Sequence, residues 1–268
     1  MHNPLETHNH ADMKYIIGNL KMNLLTPAER ERYFETFVRE LKGKNLSDVS
    51  VVLCPPALHL EKFVEKIGQE KVFIGAQNIF WEDRGSFTGE ISSLMAKQFG
   101  AEYAIVGHSE RRDIFGELNA TANLKIQAAL KNGLIPVYCI GETKKERQSN
   151  KTYEVIARQL KEGLAEIPLS KINKVIIAYE PVWAVGSDEV PSADEIMGTK
   201  ILIKKTVGDM FGLADAEKVC VLYGGSVSSK TVGQVCIEPG MDGVLVGRES
   251  LIPMEFLKIA EIINDKNR

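Results

Sequence analysis

The chain has 268 residues, 44% of them hydrophobic and 26% charged, with a formal net charge of −3. That balance offers no basic surface for nucleic acid, and no apolar run approaches the ~18 residues of a membrane span. No segment joins a charged start, an apolar core and a small-residue cleavage site in the manner of a signal peptide. The four scattered cysteines, Cys54, Cys139, Cys220 and Cys236, read as reduced, mostly buried thiols of a cytoplasmic protein, with a reactive or metal-binding thiol as the alternative. Residues 1–12 are polar and hold His2, His8 and His10. They read as a terminal extension without order, with a metal site as the alternative.

From Met13 onward one unit recurs: a short apolar run, a polar loop, then a segment of helical period. The first run, 15–20, is followed by Thr26-Pro27-Ala28-Glu29. This predicts a helix start with Thr26 as N-cap, Pro27 in the first position and Glu29 closing a capping box. Tyr33, Phe34, Phe37, Val38 and Leu41 then share one face, and Gly43 ends the helix. Further strand runs fall at 49–54, 72–77, 103–106, 134–140, 175–180, 219–223 and 243–246. A helix is expected over 119–130, stopped by Asn132-Gly133. Another starts at Ser192-Ala193-Asp194-Glu195, with Ile196, Leu202 and Ile203 among its apolar positions. The strand runs are nearly continuous in apolar residues, as for parallel strands buried on both faces. Eight strand–helix units in about 250 residues predict an α/β fold, an eight-stranded parallel (β/α)8 barrel forming a single domain over 13–268. An open doubly wound sheet is the alternative, but no Gly-x-Gly-x-x-Gly follows the first strand.

In such a barrel, functional groups sit on the loops that follow the strands. After the first strand, Asn19 and Lys21 alternate on one side. Lys21 reads as a point charge for an anionic substrate, or as a lysine reaching solvent. After the fourth comes Gly107-His108-Ser109-Glu110-Arg111-Arg112. His108 can polarise a carbonyl or be a satisfied structural histidine. Glu110 is placed near the site, with Ser109 beside it and the arginines in support. After the sixth, Glu180 ends an apolar run and Pro181 stops the strand. A lone carboxylate there is a candidate base, or a salt-bridged strand end. The seventh and eighth strands end in Tyr223-Gly224-Gly225-Ser226-Val227 and Val246-Gly247-Arg248-Glu249-Ser250. Glycines let N–H groups approach an anion, and these two loops are the usual phosphate cradle of the architecture. A base, a histidine, a lysine and a cradle suit proton abstraction beside a carbonyl in a small phosphorylated sugar. No metal cluster, Ser-His-Asp order or dinucleotide fingerprint accompanies them, so neither cofactor nor metal is expected.

These segments, with Asn19-x-Lys21-Met22-Asn23 and Ala178-Tyr179-Glu180-Pro181-Val182-Trp183-Ala184, resemble triosephosphate isomerases over essentially all of 13–268. The resemblance implies interconversion of glyceraldehyde 3-phosphate and dihydroxyacetone phosphate, in glycolysis and gluconeogenesis, through an enediolate. It implies that Glu180 is the base, that neutral His108 polarises the carbonyl, that Lys21 neutralises charge and that Asn19 holds the substrate; these are known roles in this enzyme. Gly186, Ser226, Gly247 and Arg248 would give backbone N–H groups to the phosphate. The loop from Pro181 would close as a lid, latched by Tyr223. The loop from Gln77 to Glu90 would reach a partner subunit, giving a homodimer.

Three positions depart from the family pattern. Leu20 stands where Trp is usual, a packing change beside the site. Gly186-Ser187-Asp188-Glu189 stands where the lid commonly reads Gly-Thr-Gly-Lys, and Arg248 replaces a cradle glycine. Asp188 and Glu189 should disfavour a phosphate dianion, which Arg248 could offset by pairing with either acid or by meeting the substrate. The Arg248 backbone N–H stays available only if that position does not need positive φ. The alternatives are the same chemistry on a four-carbon ketose phosphate, a tetrulose phosphate, and a barrel that binds a phosphorylated ligand without turnover.

Overall fold

The computed structural model describes residues 13–70, 72–185 and 190–266. The extension expected at 1–12 and the lid residues 186–189 lie outside them. Eight strands, β1 (Lys14–Asn19), β2 (Val49–Cys54), β3 (Phe73–Ala76), β4 (Tyr103–Val106), β5 (Ile135–Ile140), β6 (Ile176–Tyr179), β7 (Val221–Tyr223) and β8 (Gly243–Val246), form one closed parallel barrel in chain order. β8 closes on β1 in the register Tyr15↔Gly243 to Gly18↔Val246, so the open sheet is excluded. β3, β6 and β7 are each two residues shorter than expected; at β7 the Val219 N–H turns back to Ala216 O instead of joining a ladder. Closure brings the backbones very near each other. Gly243 sits at φ +142, and a Cβ there would lie 1.9 Å from Tyr15 O, so only glycine fits.

The predicted helix starts hold, with one correction. Thr26 Oγ1 accepts the Glu29 N–H (3.2 Å) at the head of the helix Pro27–Leu41. The Glu29 carboxylate, however, accepts from the Leu25 N–H (2.8 Å) and not from Thr26. Leu24, at φ 60, turns the chain just before it. The Ser192–Glu195 box at the head of Ala193–Phe211 is reciprocal, as expected. The helix Asn119–Lys131 stops at Asn132, with Gly133 at φ +73.

Strand side chains alternate between two apolar layers. Ile16, Leu53, Val106, Ile177 and Val246 belong to the layer under the helices. Ile17, Val52, Ile105, Val137, Ala178 and Leu245 fill the interior. Period two carries the inward set on to Asn19 after Ile17 and to Glu180 after Ala178. At the next inward position β4, β5, β7 and β8 all place glycine: Gly107, Gly141, Gly224 and Gly247. Interior packing therefore stops one layer short of the mouth, and a cleft of about 770 Å3 opens there. Cys54, Cys139 and Cys236 are buried, Cys220 is half-buried, and all four are free. Leu20 is fully buried in the outer layer, in keeping with a packing change.

A buried ionic network braces the loop after β4. Glu117 Oε1 accepts the Gly107 N–H (3.1 Å), while Oε2 accepts from Arg111 Nε (2.8 Å) and Lys125 Nζ (2.6 Å). The Glu117 and Lys125 side chains are each 3% exposed. Burial acts to raise the Glu117 carboxyl, but hydrogen bonds and charge from Lys125 and Arg111 outweigh it and hold the group below the usual carboxylate range. Glu117→Gln leaves Lys125 buried without its anion, so stability should fall by about 3–5 kcal/mol, read from urea unfolding. A folded-state carboxyl held low adds stability above its unfolded value of about 4.3 and loses it as pH falls through the lower folded value. The variant should lack that part of the acid dependence. An unchanged unfolding midpoint would contradict the assignment.

Candidate active site

Five strand ends, those of β1, β4, β6, β7 and β8, deliver the polar groups at the mouth. Asn19, Lys21, His108, Glu180, Ser226, Gly247 and Arg248 all line the one cleft. Glu180 is 2% exposed and His108 6%, so their charges and dipoles act with little screening. Glu180 Oε1 lies 3.1 Å from His108 Nε2, and Glu180 Oε2 accepts the Ser109 N–H at 3.0 Å. His108 caps the helix Ser109–Phe115, its Nδ1 accepting the Glu110 N–H at 3.2 Å. Nδ1 therefore carries a lone pair, and the single proton of the neutral ring sits on Nε2, facing Glu180.

Lys21 is held in a costly shape. Its φ is 51, a left-handed conformation that side chains with a Cβ avoid. Asn19 Oδ1 accepts the Lys21 N–H (3.1 Å), and Gln77 Nε2 donates to Lys21 O and to Cys54 O, both at 2.9 Å. The ammonium pairs with Glu110 Oε1 at 2.5 Å. That pair is partly exposed, so it contributes about 0–1 kcal/mol and can be traded for a contact with an anionic ligand.

Of the supporting residues, Ser109 donates its N–H to Glu180, and Glu110 pairs with Lys21. Tyr223 lies beneath the cradle, fully buried, with a hydroxyl that has no hydrogen-bond partner among the described residues. The Ser226 hydroxyl donates to Ala184 O at 2.8 Å, leaving its N–H role a separate matter. Arg248 is exposed and is not among the positive-φ residues. Arginine is therefore tolerated there without backbone strain. Its expected pairing with Asp188 or Glu189, and the expected part of Gly186, lie outside the described residues.

Three contributions are not read from the sequence, although Gly224 is placed in the cradle and Gln77 in the subunit loop. Gly224 faces Glu180 so closely that a Cβ would meet Cγ at 2.8 Å. Gln77 fixes the Lys21 carbonyl. Glu142, fully buried after β5, accepts from Trp183 Nε1 (2.8 Å) and Tyr179 OH (3.3 Å), and its carbonyl accepts the Val182 N–H (3.1 Å). Burial raises the Glu142 carboxyl despite those donors. Arg147 covers the Trp183 ring, 3.9 Å from its centroid, and pairs with Glu195 at 2.7 Å. The signal for Glu142 was the same as for Glu180, a carboxylate at a strand end. Among the described residues no group of three or more His, Cys, Asp or Glu is placed to hold a metal ion.

Comparison with known proteins agrees with this arrangement. The family model described as Triosephosphate isomerase matches residues 14–263. A triosephosphate isomerase of Moorella thermoacetica is 40% identical, over 91% of this chain and 96% of that protein. One of Dictyoglomus thermophilum is 38% identical, over 92% and 98%. The crystal structure of triosephosphate isomerase from Bartonella henselae superposes with a TM-score of 0.82 at 33% identity, covering 93% of this chain and 98% of that one. None of the three is named for a four-carbon substrate. With the match running from the first strand into the last helix, in sequence and in shape, the chain belongs to the triosephosphate isomerase family.

Proposed function

We propose that the chain interconverts glyceraldehyde 3-phosphate and dihydroxyacetone phosphate, with Glu180 as the base. The observation that carries this reading is the 3.1 Å approach of His108 Nε2 to the buried Glu180 carboxylate, at a mouth that also presents Lys21. The substrate carbonyl takes the Nε2–H in place of Glu180. The released carboxylate removes a proton from the carbon beside the carbonyl, leaving an enediolate, and returns it to the neighbouring carbon. Because the histidine is neutral, it polarises the carbonyl and carries protons between the two oxygens without becoming a fixed cation. Lys21 faces the charge that develops on oxygen, and Asn19 orients the substrate.

The N–H groups of Ser226, Gly247 and Arg248, with Gly186, take the phosphate, and the Arg248 side chain adds a cation at the rim. Tyr223 supports the closed lid. Exclusion of water strengthens every one of these contacts and protects the enediolate. By the family resemblance the reaction serves glycolysis and gluconeogenesis, and a cytoplasmic location goes with it.

A homodimer through the loop 77–90 is part of the same proposal. In that loop Phe80 stacks on Trp81 and meets Phe87 at a tilt, with centroids 3.9 and 4.6 Å apart. Gln77 ties it to the loop after β1, and His59 Nε2 meets Leu24 O at 2.7 Å. Met22, Leu25 and Leu58, on these joined loops, are 88%, 78% and 94% exposed, an apolar surface that suits a second copy. Sedimentation at twice the 29.8 kDa chain mass is expected, and a monomer at all concentrations would contradict it.

A coupled assay with glyceraldehyde 3-phosphate tests the reaction. Turnover is expected in the unaltered chain, with a loss of about 10³-fold or more in kcat for Glu180→Gln. In the same assay Arg248→Ala should raise KM several-fold and leave kcat nearly unchanged. Full activity in Glu180→Gln would remove the proposed base.

A further inference from the structure

The helix Thr152–Gly163 carries one polar side chain into the protein interior. Gln159 is 7% exposed, and a buried amide is costly unless both of its ends are paired. Here both are paired to the same residue. Gln159 Oε1 accepts the Gly141 N–H at 2.8 Å, and Nε2 donates to Gly141 O at 3.1 Å. One primary amide thus occupies the two backbone positions that a further strand would take. The helix itself is fixed to β5, because Tyr138 OH donates to Gln159 O at 2.7 Å.

Gly141 is the residue on which Glu180 rests. A Cβ at Gly141 would lie 1.8 Å from Glu180 O, so the two backbones are in direct contact. The neighbours on either side are bonded across the same seam. Ile140 O accepts the Glu180 N–H at 2.7 Å, and Glu142 O accepts the Val182 N–H at 3.1 Å. A shift of Gly141 therefore moves the Glu180 backbone, and with it the carboxylate that must reach His108 and the substrate. Displacements well under 1 Å at a reacting group already cost rate.

We propose that Gln159 is a positioning residue for Glu180, acting through Gly141. This deepens the reading of Glu180 as the base and rests on it. Gln159 lies outside the cleft, so its effect should fall on the chemical step and spare the grip on phosphate.

Two substitutions in the full-length chain test this with glyceraldehyde 3-phosphate. Gln159→Met keeps the length but leaves Gly141 unpaired; kcat should fall about 10- to 100-fold while KM stays within about twofold. Gln159→Glu supplies a group whose protonated form restores both hydrogen bonds and whose ionised form faces Gly141 O with like polarity. Its kcat relative to the unaltered chain should therefore climb as pH is lowered from about 9 to about 6, since burial raises a carboxyl. A merely structural role would not give that pH trend. If Gln159→Met does not fold, the Gln159→Glu profile decides alone. A kcat within twofold of the parent in Gln159→Met, or a Gln159→Glu ratio flat with pH, overturns the proposal. An inactive parent chain is a separate result: it removes the base reading, and this inference with it.

Discussion

A carboxylate sealed from water persists only where nearby donors answer its charge. The imidazole N–H of His108 and the backbone N–H of Ser109 both face Glu180, and both come from the end of one strand. The remainder of the mouth is arranged around that contact. Gly224 gives way beside the Glu180 side chain and Gly141 beneath its backbone. The His108 ring keeps one tautomer because a helix N–H already occupies its other nitrogen. The buried Glu117 network holds the peptide just ahead of His108. A single 3.1 Å distance is thus supported from three directions.

The barrel makes this possible by how it ends. Below the mouth, alternate side chains fill the interior with aliphatic groups. At the mouth the same alternation offers Asn19 and Glu180, and glycine on four of the other strands. Room for a ligand and placement of the polar groups are then one event: the filling stops, and what stands at the edge is left facing a cleft. The left-handed backbone of Lys21 is a local cost of the same design, met by the hydrogen bonds of Asn19 and Gln77 that pin both its N–H and its C=O. Glu142 plays the matching part for the stretch after β6, tying Tyr179, Val182 and Trp183 to the end of β5.

Much of this was legible in the sequence. Parallel strands buried on both faces leave nearly unbroken apolar runs, and eight of them alternating with helices point to a barrel, whose closure the β8–β1 pairing shows. Polar residues that break such runs at their ends, Asn19, His108 and Glu180, stand out for the same reason. What stayed hidden depends on packing across the chain. Gln159 sits in an amphipathic helix, where glutamine reads as a surface residue, and only the approach of Gly141 shows that it is buried. Glu142 carries the same strand-end signal as Glu180 but lies one residue further past its strand, beside charged residues of the following turn that mask it. The displaced partner of Glu29 follows from the turn at Leu24, which no local preference of leucine announces. Arg248 stood out in the sequence as a charge inside a glycine loop, and its backbone is not among those at positive φ, so a side chain fits there without strain.

The central claim is that a proton leaves carbon, visits the Glu180 carboxylate and returns to the neighbouring carbon. Run in deuterium oxide with glyceraldehyde 3-phosphate, the reaction should give dihydroxyacetone phosphate carrying solvent deuterium on carbon, seen by NMR, because a carboxylic acid proton exchanges with solvent during the lifetime of the enediolate. Product formed at full rate with no deuterium bound to carbon, by the unaltered chain and by Glu180→Gln alike, would mean that hydrogen moves directly between the carbons, and the role assigned to Glu180 and His108 would be wrong.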